Sequence, residues 1–206
     1  MKLSVLDQSP VIGSLGARRA IEETLALGRR VDALGYKRYW LAEHHAIAAL
    51  ADPCPEVLLA RLGAETQHIR IGSGGVLLPY YSAFKMAETF RMLEALYPGR
   101  VDLGIGRAPG GDARTAQAVG GGRPPDARNF PDQVWELVGH LDGSLPEEHP
   151  FKRVRAQPEG ETTTPTEEQQ QAATAPETPV EAEAPERRTR TKRRGRGRGR
   201  AKKSSR

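Results

Sequence analysis

Residues 38–45 of the chain read RYWLAEHH, an aromatic and apolar run that ends in a carboxylate and two imidazoles. Consecutive apolar side chains are typical of a strand that is buried on both faces, as in a parallel sheet. Upstream, apolar residues three or four positions apart over residues 17–34 predict a helix, and Gly35 stands where a helix cap is expected. The segment therefore predicts a helix, a buried strand and a polar loop at the carboxyl end of that strand.

The same alternation recurs along the chain. The sequence predicts strands at residues 2–7, 38–42, 69–78 and 100–105, and helices at residues 17–34, 55–66, 82–97 and 131–141. Alternating strands and helices form a parallel sheet, because each parallel connection needs a long crossover. Two α/β architectures fit: an open doubly wound sheet, or part of a (β/α)8 barrel of the TIM type, for which about four units supply half. A stretch rich in Gly and Pro follows the fourth strand at residues 106–129.

Composition divides the chain into a folded part and a tail. All aromatic residues lie between Tyr36 and Phe151. Residues 156–186 carry eight Glu and no basic residue, and residues 187–206 carry twelve basic residues and no acidic one. Such segments cannot bury enough apolar surface to offset the entropy of ordering. The sequence therefore predicts a domain at 1–151, a disordered acidic linker rich in Pro, Glu and Thr at 152–186, and a disordered basic tail rich in Arg, Gly and Lys at 187–206.

Other sequence features limit the class of protein. No window of apolar residues is long enough to predict a membrane span. The first ten residues lack the basic and apolar stretches of a secretory signal, so we expect a cytoplasmic protein. The single cysteine, Cys54, excludes an internal disulfide and a metal site built from several thiolates.

Glu43, His44 and His45 form the first candidate site, directly after the second predicted strand. The carboxyl ends of parallel strands face the ligand crevice of α/β folds, and histidine exchanges protons near neutral pH. The alternative is a hydrated loop without chemistry. A metal site is disfavoured, because adjacent residues of an extended chain point in opposite directions and no other His or Cys lies at ligand spacing.

Two glycine-rich stretches form the other candidates. Residues 72–75 (GSGG) interrupt the third strand, which indicates close approach of a backbone or planar ligand, or else a bulge that bends the sheet. Residues 104–111 (GIGRAPGG) follow the fourth strand and place Arg107 among free backbone N–H groups, a combination suited to phosphate oxygens. This stretch matches neither the dinucleotide-binding fingerprint nor the P-loop, and a flexible linker is its alternative interpretation.

Together these motifs resemble the luciferase-like flavin-dependent monooxygenases, the family of bacterial luciferase. The matching segments are residues 40–45 (WLAEHH), 71–79 (IGSGGVLLP) and 98–111 (PGRVDLGIGRAPGG). They lie in the same order at three predicted strand ends. The resemblance covers about residues 1–145, which corresponds to the N-terminal half of the family's barrel, and none of the tail.

The resemblance implies a function and a set of site residues. It implies a (β/α)8 barrel that binds reduced FMN at the carboxyl ends of its strands. The reduced FMN reacts with O2, and the enzyme oxidises a small-molecule substrate. A flavin reductase is the partner expected to supply the reduced FMN. His44 falls on the family's catalytic histidine. Gly74 and Gly75 fall on the pair that packs against the flavin ring and is joined by a cis peptide bond. Arg107 falls on the basic residue that reaches the FMN phosphate.

Four units leave the barrel half built, which gives three further expectations. An open sheet exposes two strand edges and an apolar face, so we expect a second copy or another half-barrel to complete it. The activity is then either retained or lost with the missing half. The alternative function is a non-catalytic remnant whose basic tail binds nucleic acid weakly, without sequence preference and in a salt-dependent way.

Overall fold

The computed structural model describes residues 1–123 and 125–159 of the chain. The strands are β1 (Ser4–Asp7), β2 (Arg38–Leu41), β3 (Arg70–Leu77) and β4 (Val101–Gly106), and the helices are α1 (Gly16–Ala33), α2 (Pro55–Glu65), α3 (Ala83–Leu96), α4 (Ala113–Val119) and α5 (Phe130–Asp142). Single turns of 3-10 helix lie at Leu78–Tyr80 and Ala127–Asn129. The four strands and four of the five helices lie where the sequence predicts them.

The strands form one parallel sheet in the order β1-β2-β3-β4. Each strand pairs with the next along the sequence, and the intervening helix makes the crossover. This confirms the predicted α/β class with a parallel sheet. Because consecutive strands are also neighbours in space, the carboxyl ends of β2, β3 and β4 lie side by side.

One face of the sheet packs against the helices and holds the core. Tyr39, Leu41 and Ile71 point to this face and are fully buried. Leu59 and Leu62 of α2 belong to the same cluster. Burying a large apolar side chain stabilises a fold by about 1.5–3 kcal/mol, so this layer accounts for much of the stability of the sheet.

The opposite face of the sheet carries a different set of residues. Leu6, Trp40 and Gly72 are register partners on this face, and Leu6 is 60% exposed. Nearer the amino ends of the strands, Arg38 and Arg70 both donate to Asp102. The core cluster lies on the face that holds Tyr39, and the exposure of Leu6 shows that, within the described residues, the second face is open around this side chain.

Helix α4 lies within residues 106–129, the stretch rich in Gly and Pro for which the sequence predicted no helix. The side chain of Asp112 caps this helix by accepting a hydrogen bond from the amide of Thr115 over 2.7 Å. Residues 113–119 (ARTAQAV) contain mostly good helix formers. The glycines on either side make residues 106–129 as a whole a poor match to a helical pattern. A capped helix of seven residues nevertheless fits within this stretch.

Residues 152–159, which the sequence assigns to the predicted disordered linker, are among the residues that the structure describes. Residues 152–159 lie against the domain, and Ala156 is only 2% exposed. Arg91 of α3 donates to the carbonyl oxygen of Pro158 over 3.2 Å, and Lys152 donates to that of Leu145 over 2.5 Å. These contacts could not be predicted from the polar composition of the segment, because hydrogen bonds to backbone carbonyl oxygens need no apolar side chain.

The rest of the predicted acidic linker, up to residue 186, and the predicted basic tail at residues 187–206 lie outside the residues that the structure describes, which end at residue 159. Among the helices that are described, none is long and apolar enough to cross a membrane.

Candidate active site

Three loops that follow β2, β3 and β4 are joined by hydrogen bonds at one edge of the sheet. The amide of His45, after β2, donates to the carbonyl oxygen of Gly110, after β4, over 3.0 Å. Tyr80, after β3, donates from its hydroxyl to the carbonyl oxygen of Pro109 over 2.6 Å. The loops that carry the first and third candidate motifs therefore lie together, as the strand order requires.

Glu43 lies at the centre of this edge, with a side chain that is fully buried. Its Oε1 lies 2.6 Å from Nε2 of His45 and accepts a 2.7 Å hydrogen bond from the hydroxyl of Tyr81. Its Oε2 accepts from the amide of Leu77 over 2.8 Å. Burial, together with the hydrogen bond to Glu43, raises the pKa of Tyr81, so this hydroxyl stays a donor.

Sequence reasoning included Glu43 in the first motif but gave it no role. A carboxylate placed directly after a buried strand was the only sequence signal for this cluster. Tyr81 was missed altogether, because nothing in the sequence relates it to Glu43 across 38 positions.

His44 is half-buried, and its Nδ1 is buried without a hydrogen-bond partner among the described residues. Its backbone amide faces the carbonyl oxygen of Asp52 at 3.5 Å. Asp52 is buried as well; its Oδ1 accepts from the amide of Cys54, whereas its Oδ2 lacks a partner in the described part of the chain. Burial and then the neighbouring carboxylates raise the pKa of Asp52 to about 6.

Gly74 and Gly75, which we call the glycine ledge, lie within β3. The peptide bond between them is cis, the geometry that the resemblance implied. A Cβ on Gly75 would lie 2.9 Å from the carbonyl oxygen of Gly104, and one on Gly74 would lie 3.0 Å from Cβ of Trp40. The pairing of β3 with β4 also shifts register between Ser73 and Val76. Close backbone approach and a bulge, offered as alternatives by the sequence, thus occur together.

Arg107 is the first residue after β4 and is exposed. It follows Gly106, the register partner of Leu77. Its side chain makes no hydrogen bond or ion pair with the residues that the structure describes. His44 therefore lies in the loop after β2, the glycine ledge lies within β3, and Arg107 directly follows β4, so the three belong to neighbouring strand–loop segments of the sheet.

This donor set fits a flavin nucleotide. The ledge offers backbone without side chains beside the open face of the sheet, which suits a flat ring. The guanidinium of Arg107, which has no partner among the described residues, has a fork of donors that matches phosphate oxygens. Within the described part of the chain, the buried Nδ1 of His44 has no hydrogen-bond partner, so it can bind a ligand or water. Among the described residues, no group of His, Cys, Asp and Glu is arranged to hold a metal ion.

Comparison with known proteins identifies the family of the chain. The family model described as luciferase-like monooxygenase matches residues 1–200, further along the chain than the stretch of about residues 1–145 that carried the resemblance. A luciferase-like monooxygenase of Escherichia coli strain K12 is 45% identical over 146 residues, which cover 71% of this chain and 44% of that protein.

Two solved structures support the fold. The structure of apo-MsnO8 shares 43% sequence identity and superimposes with a TM-score of 0.71, covering 77% of this chain and 46% of MsnO8. The oxygenating constituent of 3,6-diketocamphane monooxygenase from Pseudomonas putida, a type II Baeyer–Villiger monooxygenase in complex with FMN, shares the fold at 22% identity and a TM-score of 0.59, covering 68% of this chain and 38% of that one.

The chain spans about half the length of the curated relatives it matches. The family model covers most of the sequence, and the three motifs lie together at one edge of a parallel sheet. The chain is therefore a member of the luciferase-like monooxygenase family.

Proposed function

We propose that this chain carries the flavin site of an FMN-dependent monooxygenase that uses reduced flavin and O2 to oxidise a small organic substrate. The observation that carries the proposal is that His44 follows β2, the glycine ledge lies in β3 and Arg107 follows β4, three neighbouring strands whose carboxyl ends form the edge where α/β folds bind ligands. Family membership and the FMN complex of a protein with the same fold support it.

Each residue has a distinct role in this proposal. The ledge receives the flavin ring, since its backbone carries no side chain that would hold the ring away. Arg107 binds the phosphate through charge-assisted hydrogen bonds. When bound, reduced FMN supplies the electrons that activate O2 for transfer of an oxygen atom to the substrate.

His44 moves a proton at the reacting edge, because an imidazole donates and accepts near neutral pH. Leu6 and Trp40, beside the ledge, provide apolar surface that excludes water from the ring. The reduced flavin comes from a separate flavin reductase, and the second half of the barrel supplies the rest of the substrate pocket.

Anaerobic titration with reduced FMN tests the proposal. We expect the wild-type protein to bind reduced FMN and, when a flavin reductase and NADH are supplied, to consume O2 beyond the rate of the same mixture without the protein. His44→Ala should keep flavin binding and lose O2-dependent turnover. His68→Ala is the control, because His68 is exposed and precedes β3, at the opposite edge of the sheet. Failure of the wild-type chain to bind either oxidised or reduced FMN would contradict the proposed function.

A further inference from the structure

The carboxylate of Glu43 is fully buried, and both of its oxygens have hydrogen-bond partners. Burying an ionised carboxylate is costly unless donors compensate for the water it loses. Three donors face this group: the ring of His45, the hydroxyl of Tyr81 and the amide of Leu77. A site of this kind is built for the carboxylate, since none of the three contacts would form with an apolar side chain.

The three partners of Glu43 lie next to the segments that carry the candidate site residues. His45 adjoins His44 in the loop after β2. Leu77 ends β3 two residues after the ledge and is the register partner of Gly106, which precedes Arg107. Tyr81 directly follows the 3-10 turn after β3. One carboxylate therefore connects the histidine loop to the strand that carries the ledge.

We propose that Glu43 is a positioning residue that holds the His44 loop against the end of β3 and fixes the proton of His45 on Nε2. The contacts that carry this inference are made entirely by residues of this chain. Only its consequence for flavin binding rests on the proposed function.

The tautomer of His45 follows from the chemistry of the contact. An ionised carboxylate has acceptors only, so His45 must present its N–H from Nε2. Glu43→Gln keeps the shape but places an NH2 group on one side. The amide oxygen of Gln has to face the backbone N–H of Leu77, because this N–H can only donate a hydrogen bond. The NH2 group then faces Nε2 of His45, which must become an acceptor and move its proton to Nδ1.

Nitrogen NMR of the histidine rings measures this change directly. We expect the wild-type protein to show His45 protonated at Nε2, with the signal assigned from a His45→Gln variant. Glu43→Gln should move the proton to Nδ1 and shift the signals of His44. Glu56→Gln is the matched control: Glu56 is half-buried near the same cluster, and its removal takes away a charge without removing a contact to these loops.

Flavin affinity gives the second readout. Glu43→Gln should weaken FMN binding about tenfold or more while unfolding cooperatively like the wild type, whereas Glu56→Gln should stay within about twofold. If the wild-type chain binds no FMN but the tautomer changes as expected, the proposed function fails and the positioning role stands.

If the wild-type chain binds FMN and Glu43→Gln binds it equally well, the positioning role is overturned. An unchanged His44 and His45 spectrum in Glu43→Gln overturns it too. The wild-type spectrum decides by itself if Glu43→Gln does not fold: a neutral His45 ring with its proton on Nδ1 contradicts the inference, and one with its proton on Nε2 supports it.

Discussion

The hydroxyl of Tyr39 donates a 2.6 Å hydrogen bond to Oδ2 of Asp7 and joins strands β1 and β2 on the helix-packed face. Oδ1 of Asp7 accepts from the amide of Ser9 over 2.8 Å. Both Asp7 and Tyr39 are buried. These hydrogen bonds explain how a buried acidic residue is tolerated at the end of β1, because both of its carboxylate oxygens accept a hydrogen bond.

Tyr39→Phe should lower the free energy of unfolding by about 1–2 kcal/mol, because it removes a donor to a buried carboxylate. Burial and the bond to Asp7 also raise the pKa of Tyr39. Stability from this group is therefore present below the ordinary tyrosine pKa of about 10 and declines as pH rises further, and the variant lacks that decline. Urea unfolding at neutral and alkaline pH measures both effects. Tyr36→Phe serves as control, and an equal loss in the two variants would contradict the prediction.

Gly72→Ala should destabilise the sheet. A Cβ at Gly72 would lie 2.6 Å from the carbonyl oxygen of Asp102 and 2.7 Å from Cζ3 of Trp40, and the backbone oxygen cannot yield without disturbing β4. We expect a loss of about 1–3 kcal/mol, as for other overpacked sites. Gly106→Ala should cost less, because its Cβ would meet the flexible side chain of Leu77 at 3.1 Å. Thermal unfolding compares them; a larger effect at Gly106 would refute this account.

Asp52 gives the domain a distinctive pH dependence. Because its pKa is raised to about 6, the folded state binds more protons than the unfolded state between about pH 4 and 6. The free energy of unfolding should therefore fall as pH rises through this range, by on the order of 2 kcal/mol from this group.

Asp52→Asn should remove that fall, since the amide does not titrate. Urea unfolding at a series of pH values measures it, with Asp132→Asn, an exposed carboxylate, as control. The same decline in Asp52→Asn and wild type would show that another group is responsible.

The parallel sheet could be predicted from sequence because its signals are local. Each strand is a short apolar run, and helical spacing with end signals such as Pro98-Gly99 defines the intervening helices. The candidate residues could be placed at strand ends for the same reason. The Glu43–Tyr81 bond and the burial of Ala156 could not be predicted, because they depend on how distant segments pack.

Leu6→Lys should weaken self-association of the chain. Leu6 is 60% exposed on the open face, and within the described residues the outer edges of β1 and β4 pair with no other strand. Exposed apolar surface and free strand edges favour association. We expect light scattering after size exclusion to show a concentration-dependent oligomer that Leu6→Lys shifts to at least about tenfold higher concentration.

Leu34→Lys is the matched control for this experiment, because Leu34 is 57% exposed at the end of α1 rather than on the open face. It should leave the association unchanged. A wild-type chain that is monomeric and cooperatively folded at all concentrations would show that the open face needs no partner.

Arg107→Ala should weaken the binding of FMN by about 10- to 100-fold, the equivalent of losing a charge-assisted hydrogen bond to phosphate. The affinity for riboflavin, which lacks the phosphate, should change little. Arg114→Ala is the control, since Arg114 is an exposed arginine in α4 and lines the same cavity as His45. Fluorescence titration with both ligands separates the possibilities. An equal loss for FMN and riboflavin would mean that Arg107 contacts the ring or supports the loop, and that the phosphate is bound by residues elsewhere.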